Sequence, residues 1–191
     1  MMKKILDFYK KQGVRTEVKK GTYDNFPNNV KKISKIIYGL LIHPATFEFY
    51  NLSFSKERIN DKYKDSIQKS IDKIMKIENR LLVEYREPKN RVVNTCRQFA
   101  MFICSVLREK GIPARCRCGF AIYLENGWFE DHWICEYWNV KEKKWIRIDS
   151  EIDDAHISQC HINIKNIDPY NLPKEAFFTA GVFWKLYARI S

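Results

Sequence analysis

The sequence predicts an α+β fold in which a central helix packs on an antiparallel sheet. Three observations support this prediction. A segment that is apolar almost all round begins at Cys96 and stops at Gly111, as expected of a buried helix with a glycine after its last turn. The hydrophobic period then changes to that of strands, in three segments separated by polar turns. The preceding ninety residues show helical periodicity, so extra N-terminal helices are expected before the core.

Length and charge restrict the class of protein. A chain of 191 residues suits one compact domain, with residues 1–90 as a helical region packed on a core of residues 91–191. The net charge of +11 could serve an acidic partner, but the lysines are spread over solvated helix faces and no aromatic-basic RNA-binding signature occurs, so nucleic acid is not expected as a partner.

The sequence also predicts a cellular compartment. No apolar stretch is long enough for a membrane-spanning helix, and Asp7 interrupts the N-terminal apolar run before it reaches the length of a signal peptide. We therefore expect no membrane partner and a cytoplasmic location. The six cysteines are expected to be reduced thiols, although an even number would also suit disulfides in a short secreted chain.

The N-terminal region is predicted from periodicity and breakers. Apolar residues recur every three or four positions in three segments, with lysines opposite them. Glycine, asparagine and proline separate these segments. The predictions are a helix over 2–12, a loop over 14–27, a helix from 28 or 29 that ends before Pro44, a helix over 66–78 and a turn at 88–90.

The core elements follow in order. Thr95 and Gln98 have the spacing of a capping box, which places the start of the central helix at Cys96 and its end near Lys110. The rest of the chain is predicted as strands over 115–124, 131–140 and 144–149, joined by turns at 125–127 and 141–143, then an irregular segment over 150–173 and a final helix over 174–189.

Cys96 is a candidate nucleophile because of its place in the helix. A helix N-terminus presents unpaired N–H groups and partial positive charge, and both favour a thiolate. The alternative is that Cys96 is a small buried hydrophobe, as most free cysteines are. A nucleophilic thiol needs an imidazole to take its proton and an acceptor to orient that imidazole.

Strand alternation selects the partners. His132 and Glu136 share one face of the second strand, and Arg147 and Asp149 share one face of the third. The turn between these strands makes His132 and Asp149 expected cross-strand neighbours, and Glu136 and Arg147 could pair further along. The central helix is expected to pack on that same face and to bring its thiol to His132. A core histidine and a strand-end aspartate are the alternatives.

These residues stand in a recognisable order. Cys96-Arg97-Gln98-Phe99-Ala100 precedes Leu107-Arg108-Glu109-Lys110-Gly111-Ile112-Pro113-Ala114-Arg115, Gly119-Phe120, His132-Trp133 through Glu136, and Trp145-Ile146-Arg147-Ile148-Asp149. Over residues 94–153 the chain resembles the transglutaminase-like superfamily, in the manner of a bacterial-type single-domain member. The resemblance implies a papain-like fold with a triad of Cys96 as nucleophile, His132 as general base and Asp149 as its orienting residue. Members of the family transfer acyl groups from carboxamides to amines or hydrolyse amides.

The chain departs from the family pattern at two positions. Asn94 stands where many members have glycine, and Ser150 follows Asp149 where many have proline. The backbone N–H of Cys96 is the expected oxyanion donor, and Asn94, Tyr85 and Trp128 are further candidates for contact with substrate or oxyanion.

No cofactor or metal is expected. No EF-hand loop occurs, so the calcium dependence of some family members is not carried over. Cys116 and Cys118, with Cys160 and His161 added, could bind zinc, but the spacing is unusual and the first two should be core residues of one strand face.

Two functions are therefore predicted. The first is an enzyme that forms a thioester at Cys96 from a peptide, protein or small-molecule carboxamide and passes the acyl group to an amine or to water. The alternative is a non-catalytic binding module with the same fold, in which the basic surface meets an acidic partner.

Overall fold

A computed structural model of the chain describes residues 2–63, 66–124, 128–152 and 167–188. Within these ranges there are six α-helices: α1 Met2–Tyr9, α2 Val30–Leu40, α3 Lys56–Ile59, α4 Ile67–Ile77, α5 Cys96–Glu109 and α6 Ala180–Tyr187. The strands are β1 Leu41–Ile42, β2 Val92–Val93, β3 Ala114–Ala121, β4 Glu130–Asn139, β5 Lys144–Ile148 and β6 Phe177–Thr179. The fold is α+β, as predicted. None of the helices in the described ranges has the length and apolar character needed to cross a bilayer.

The main sheet is antiparallel and has the strand order β5-β4-β3-β6. Its register pairs Gly119 of β3 with His132 of β4, and Glu136 of β4 with Arg147 of β5. The three predicted strands are therefore present, with ends that differ by a few residues. The predicted hairpin turn at 125–127 lies outside the described residues.

Helix α5 is central, as its sequence predicts. Ten of its residues are buried, from Gln98 through Leu107, because apolar side chains cover nearly its whole circumference. Gly111 follows it with a φ of +72°, a left-handed conformation that closes the helix without a Cβ penalty. The predicted capping box is not formed. The Thr95 hydroxyl donates a hydrogen bond of 2.8 Å to the Gln98 side chain, and the Thr95 side chain therefore accepts none from the N–H groups of the first turn.

The helix packs on the face opposite to the one expected. Its apolar residues share a core with Ala114, Cys135 and Ile148, which alternate away from His132 and Glu136. The expectation was wrong because the ionic group around Glu136 takes up part of the His132 face, and the apolar remainder, which includes Ile134, is covered by the C-terminal segment at Leu172 and Phe177.

The N-terminal helices contribute to the same core as α5. Apolar residues of α2 and α4, among them Ile33, Ile37 and Ile71, are buried against it. Side chains cap both helices, Asn29 at α2 and Ser66 at α4. Helix α1 is shorter than predicted and buries none of its residues.

The C-terminal segment differs from its prediction. The predicted helix over 174–189 is divided into a short 3₁₀ turn, strand β6 and helix α6. Strand β6 lies directly against Gly119, where an added Cβ would come 2.1 Å from the Phe178 carbonyl oxygen. A side chain at position 119 would therefore separate β6 from the sheet.

Candidate active site

A two-stranded parallel sheet positions the thiol. Strands β1 and β2 pair Leu41 with Val92 and Ile42 with Val93, and all four residues are buried. The next residue on the second strand continues the contact, since the N–H of Asn94 donates 3.0 Å to the carbonyl of Ile42. The chain then turns at Thr95 into α5, so Cys96 leaves the sheet edge as the first residue of the helix. Its side chain is partly exposed.

His132 and Asp149 meet as the strand alternation predicts. Nε2 of His132 lies 2.8 Å from Oδ2 of Asp149, and both side chains are almost fully buried. Burial alone would lower the pKa of His132, but the charge of Asp149 and the hydrogen bonds to Asp149 and Cys96 outweigh it and hold that pKa well above its ordinary value. The Asp149 carboxylate therefore favours the imidazolium form of His132.

Cys96 lies beside this pair. Its Sγ, a ring nitrogen of His132 and a carboxylate oxygen of Glu151 all lie within 4.8 Å of one another. Because Asp149 occupies Nε2, the nitrogen left for the thiol is Nδ1. The structure thus brings together all three residues predicted for the triad, although α5 packs on the other face of the sheet.

Asp149 accepts three hydrogen bonds. The Tyr123 hydroxyl donates 2.6 Å to Oδ2, the oxygen that also faces His132, and the Glu151 N–H donates 3.0 Å to Oδ1. Burial raises the pKa of Asp149, but the charge of His132 and these hydrogen bonds outweigh it and lower that pKa below its usual range. Tyr123 was not predicted as a site residue from the sequence. It lies four residues after Gly119, so alternation along the predicted strand over 115–124 would have placed it on the His132 face.

Glu151 is the second residue that sequence reasoning missed. Its side chain is 8% exposed, Oε1 lies 3.5 Å from Nδ1 of His43, and Oε2 has no hydrogen-bond partner in the described structure. Burial raises the pKa of Glu151 to about 7, since the opposing charge of His132 only partly compensates. Nδ1 of His43 also accepts a hydrogen bond from the Ala45 N–H at 3.2 Å.

Glu136 has a structural place on the same face. Its carboxylate accepts hydrogen bonds from Arg115 at 2.8 Å, Arg117 at 2.9 Å and Arg147 at 3.2 Å. Burial alone would raise the pKa of Glu136, and the arginines lower it overall. The expected pairing of Glu136 with Arg147 is confirmed. Arg147 also donates to the carbonyls of Lys174 and Phe177, which ties β5 to the segment that carries β6.

The other predicted substrate or oxyanion residues differ in their surroundings. Asn94 is fully buried, and neither atom of its side-chain amide has a hydrogen-bond partner in the described ranges. Tyr85 is 63% exposed, with its hydroxyl 3.5 Å from Glu87. Trp128 is 69% exposed, next to residues that are not described. For all three, a contact with substrate stays a prediction.

The remaining cysteines give no zinc centre in the described ranges. Cys116 is partly buried, whereas Cys118 is exposed, contrary to the expectation that both lie in the core. The five cysteines outside the undescribed segment are free thiols. Cys160 and His161 lie outside the described residues.

Comparison with known proteins places part of the chain in a family. Residues 57–150, which include Cys96, His132 and Asp149, match the transglutaminase-like superfamily. The chain is also similar to a solved structure from Cytophaga hutchinsonii, provisionally described as a cysteine protease, with a TM-score of 0.44 and 17% identity. That similarity covers 83% of this chain and 38% of the other protein, so the chain spans well under half of its length. No curated protein matches the chain.

Proposed function

Since residues 57–150 form a transglutaminase-like domain, we propose that the protein is a cysteine-dependent enzyme that cleaves carboxamides through a thioester at Cys96. The observation that carries the proposal is the group formed by Cys96 Sγ, within 4.8 Å of the His132 ring, and the 2.8 Å contact from that ring to Asp149. The charge of Asp149 outweighs the burial of His132 and favours its imidazolium form, the partner that a nucleophilic thiol requires at such a site.

Acylation begins at the thiolate. Cys96 Sγ attacks the carbonyl carbon of the amide, and the C–O double bond opens to an oxyanion. His132 donates its Nδ1 proton to the departing nitrogen as the C–N bond breaks, and ammonia or an amine leaves. The products of this step are a thioester on Cys96 and a neutral imidazole that Asp149 still orients through Nε2.

Two groups are proposed to stabilise the oxyanion. The N–H of Cys96 lies at the start of α5, where Thr95 does not cap the first turn with its side chain. The unpartnered amide of Asn94, two residues before the thiol, supplies a second donor in its Nδ2 hydrogens. Loss of one such donor typically costs about 10²–10³-fold in kcat, so Asn94→Ala is expected to lower turnover while Cys96 is still alkylated normally.

Deacylation uses the same residues in reverse. Neutral His132 takes a proton from an incoming amine or water, the oxygen or nitrogen forms its bond to the carbonyl carbon, and the C–S bond breaks. The choice between transfer and hydrolysis depends on which nucleophile reaches the thioester.

Intact mass spectrometry tests the proposal. The purified chain is incubated with an N-blocked glutaminyl peptide library, with and without a labelled amine, and both protein and peptides are weighed. We expect an acyl adduct that Cys96→Ala abolishes and Cys118→Ala, an exposed thiol on β3, retains. Peptides that gain the amine indicate transfer, and peptides that gain only the mass change of deamidation indicate hydrolysis.

Iodoacetamide labelling provides a readout that needs no substrate. Cys96 should be alkylated at near-neutral pH much faster than Cys118, although Cys118 is the more exposed thiol. Equal or slower labelling of Cys96 would contradict an activated thiol and would favour the non-catalytic binding module.

A further inference from the structure

The thiol, the imidazole and the unused carboxyl group at the active site have the composition of a metal site. We propose that Cys96, His132 and Glu151 bind one Zn²⁺, and that the ion blocks the nucleophile. The binding follows from the geometry alone, whereas the inhibition rests on the proposed function. Sulfur, imidazole nitrogen and carboxylate oxygen are the ligand atoms that zinc prefers.

The distances are compatible with a tetrahedral ion after a small contraction. The three ligand atoms lie within 4.8 Å of one another. Zinc bonds of about 2.0–2.3 Å place tetrahedral ligands roughly 3.3–3.8 Å apart, so side-chain movement of about 1 Å would close the site. Three protein ligands leave a fourth position for water.

The surroundings of the ligands resemble those of established zinc sites in general. Nε2 of His132 is held by Asp149 at 2.8 Å, so Nδ1 can face an ion while a carboxylate orients the ring from behind. Oε2 of Glu151 has no hydrogen-bond partner in the described ranges, and that side chain is 8% exposed. A buried acceptor without a partner is costly, and a cation would satisfy it.

Charge and protons balance on binding. The thiolate and the Glu151 carboxylate supply two negative charges to the dication, and Asp149 supplies a third from behind His132. His132 releases its Nδ1 proton, and Glu151 releases its carboxyl proton where it holds one. Coordination lowers the nucleophilicity of the thiolate, and His132 no longer carries an Nδ1 proton for the departing nitrogen, so acylation stops until the ion leaves.

Cobalt substitution tests the site without turnover. Chelator-treated protein is titrated with Co²⁺, which gives a sulfur-to-cobalt charge-transfer band only when a thiolate is bound, and Zn²⁺ is then added in competition with a chromophoric chelator. We expect one ion per chain, loss of the band in Cys96→Ser, and a Zn²⁺ Kd weakened roughly tenfold or more in Glu151→Gln. Cys118→Ser and Cys160→Ser are the matched controls and should keep the band.

Several results would overturn the metal site. A band that persists in Cys96→Ser or disappears in Cys160→Ser would assign the ion to other residues, and an unchanged Kd in Glu151→Gln would remove the carboxylate from the ligand set. Thermal melts verify that each variant folds. Wild-type protein alkylated at Cys96 repeats the test without any substitution. Binding without any Cys96-dependent turnover would refute the proposed function and leave the zinc site standing.

Discussion

Replacing Asp149 with asparagine should disable the thiol without removing any side-chain bulk. Asp149 accepts three donors on two oxygens: the Tyr123 hydroxyl and His132 on Oδ2, and the Glu151 N–H on Oδ1. Asparagine has one acceptor oxygen and one NH₂ group. In either orientation of the introduced asparagine side chain, the NH₂ group therefore faces a group that is itself a hydrogen-bond donor.

Both orientations also remove the negative charge beside His132. Without it, burial dominates and the pKa of His132 falls, so the imidazolium that accompanies the thiolate is lost near neutral pH. One orientation, in addition, fixes the proton on Nδ1, where the imidazole cannot accept from Cys96. We expect the alkylation rate of Cys96, and any turnover, to fall by roughly 10²–10⁴-fold, with a loss of about 1–3 kcal/mol in unfolding free energy for the unpaired donor.

The assay is iodoacetamide alkylation at several pH values, followed by intact mass and peptide mapping. Asp131→Asn, an exposed neighbour of the histidine on β4, is the matched control and should behave as the wild type. A Cys96 alkylation rate in Asp149→Asn that stays within tenfold of the wild-type rate would refute the reasoning that Asp149 controls the charge of His132.

Three further substitutions test the surroundings of the site. The pKa of Glu151 in the folded protein is raised from 4.5 to about 7, so the stability that this carboxyl group contributes falls as the pH rises between those values, by up to about 3 kcal/mol. With a chelator present, Glu151→Gln should therefore have a higher melting temperature than the wild type at pH 8 but not at pH 4. Tyr123→Phe removes a 2.6 Å hydrogen bond to Asp149 and should cost about 1.5–3 kcal/mol in urea unfolding, with a smaller effect on alkylation than Asp149→Asn; unchanged stability would contradict a role in holding the carboxylate. Glu136→Gln leaves its three arginines uncompensated and should cost about 2 kcal/mol, less than a fully buried ion pair because the arginines are partly exposed; a deficit that does not shrink in high salt would argue against charge as the cause.

Much of the fold could be predicted because its signals are local. The circumference of α5 is apolar, glycine follows it, and period-two alternation fixes which side chains of β4 and β5 share a face. Alternation, together with the turn at 141–143, was enough to pair His132 with Asp149. It could not say which face the helix covers, because that choice depends on where the arginines around Glu136 gather, and those come from both neighbouring strands.

The unpredicted features depend on contacts between distant segments. The sequence of β6 predicts a helix because no turn residue separates Phe177 and Phe178 from the apolar helix that follows. The extended form is favoured by pairing with β3, which the sequence does not reveal. The parallel pair of β1 and β2 joins segments about fifty residues apart, and each strand is too short to give a periodic signal. Glu151 lies two residues after Asp149, so alternation places the two side chains on the same face. Its burial could not be predicted, because it depends on His43 and His132, which come from distant parts of the chain.

The contact of β6 with Gly119 has a consequence for synthesis of the chain. Strand β3 pairs with the histidine strand on one side, and within the described ranges its other neighbour is the strand of residues 177–179. During translation the sheet edge at Gly119 therefore stays open until Thr179, sixty residues further on, has been made. The carbonyl of Phe177 that accepts from Arg147 is made 30 residues after that arginine. An exposed strand edge in a nascent chain is a site for misassociation. Ribosome-stalled chains that end before residue 177 should consequently be more sensitive to protease than chains in which Thr179 has emerged.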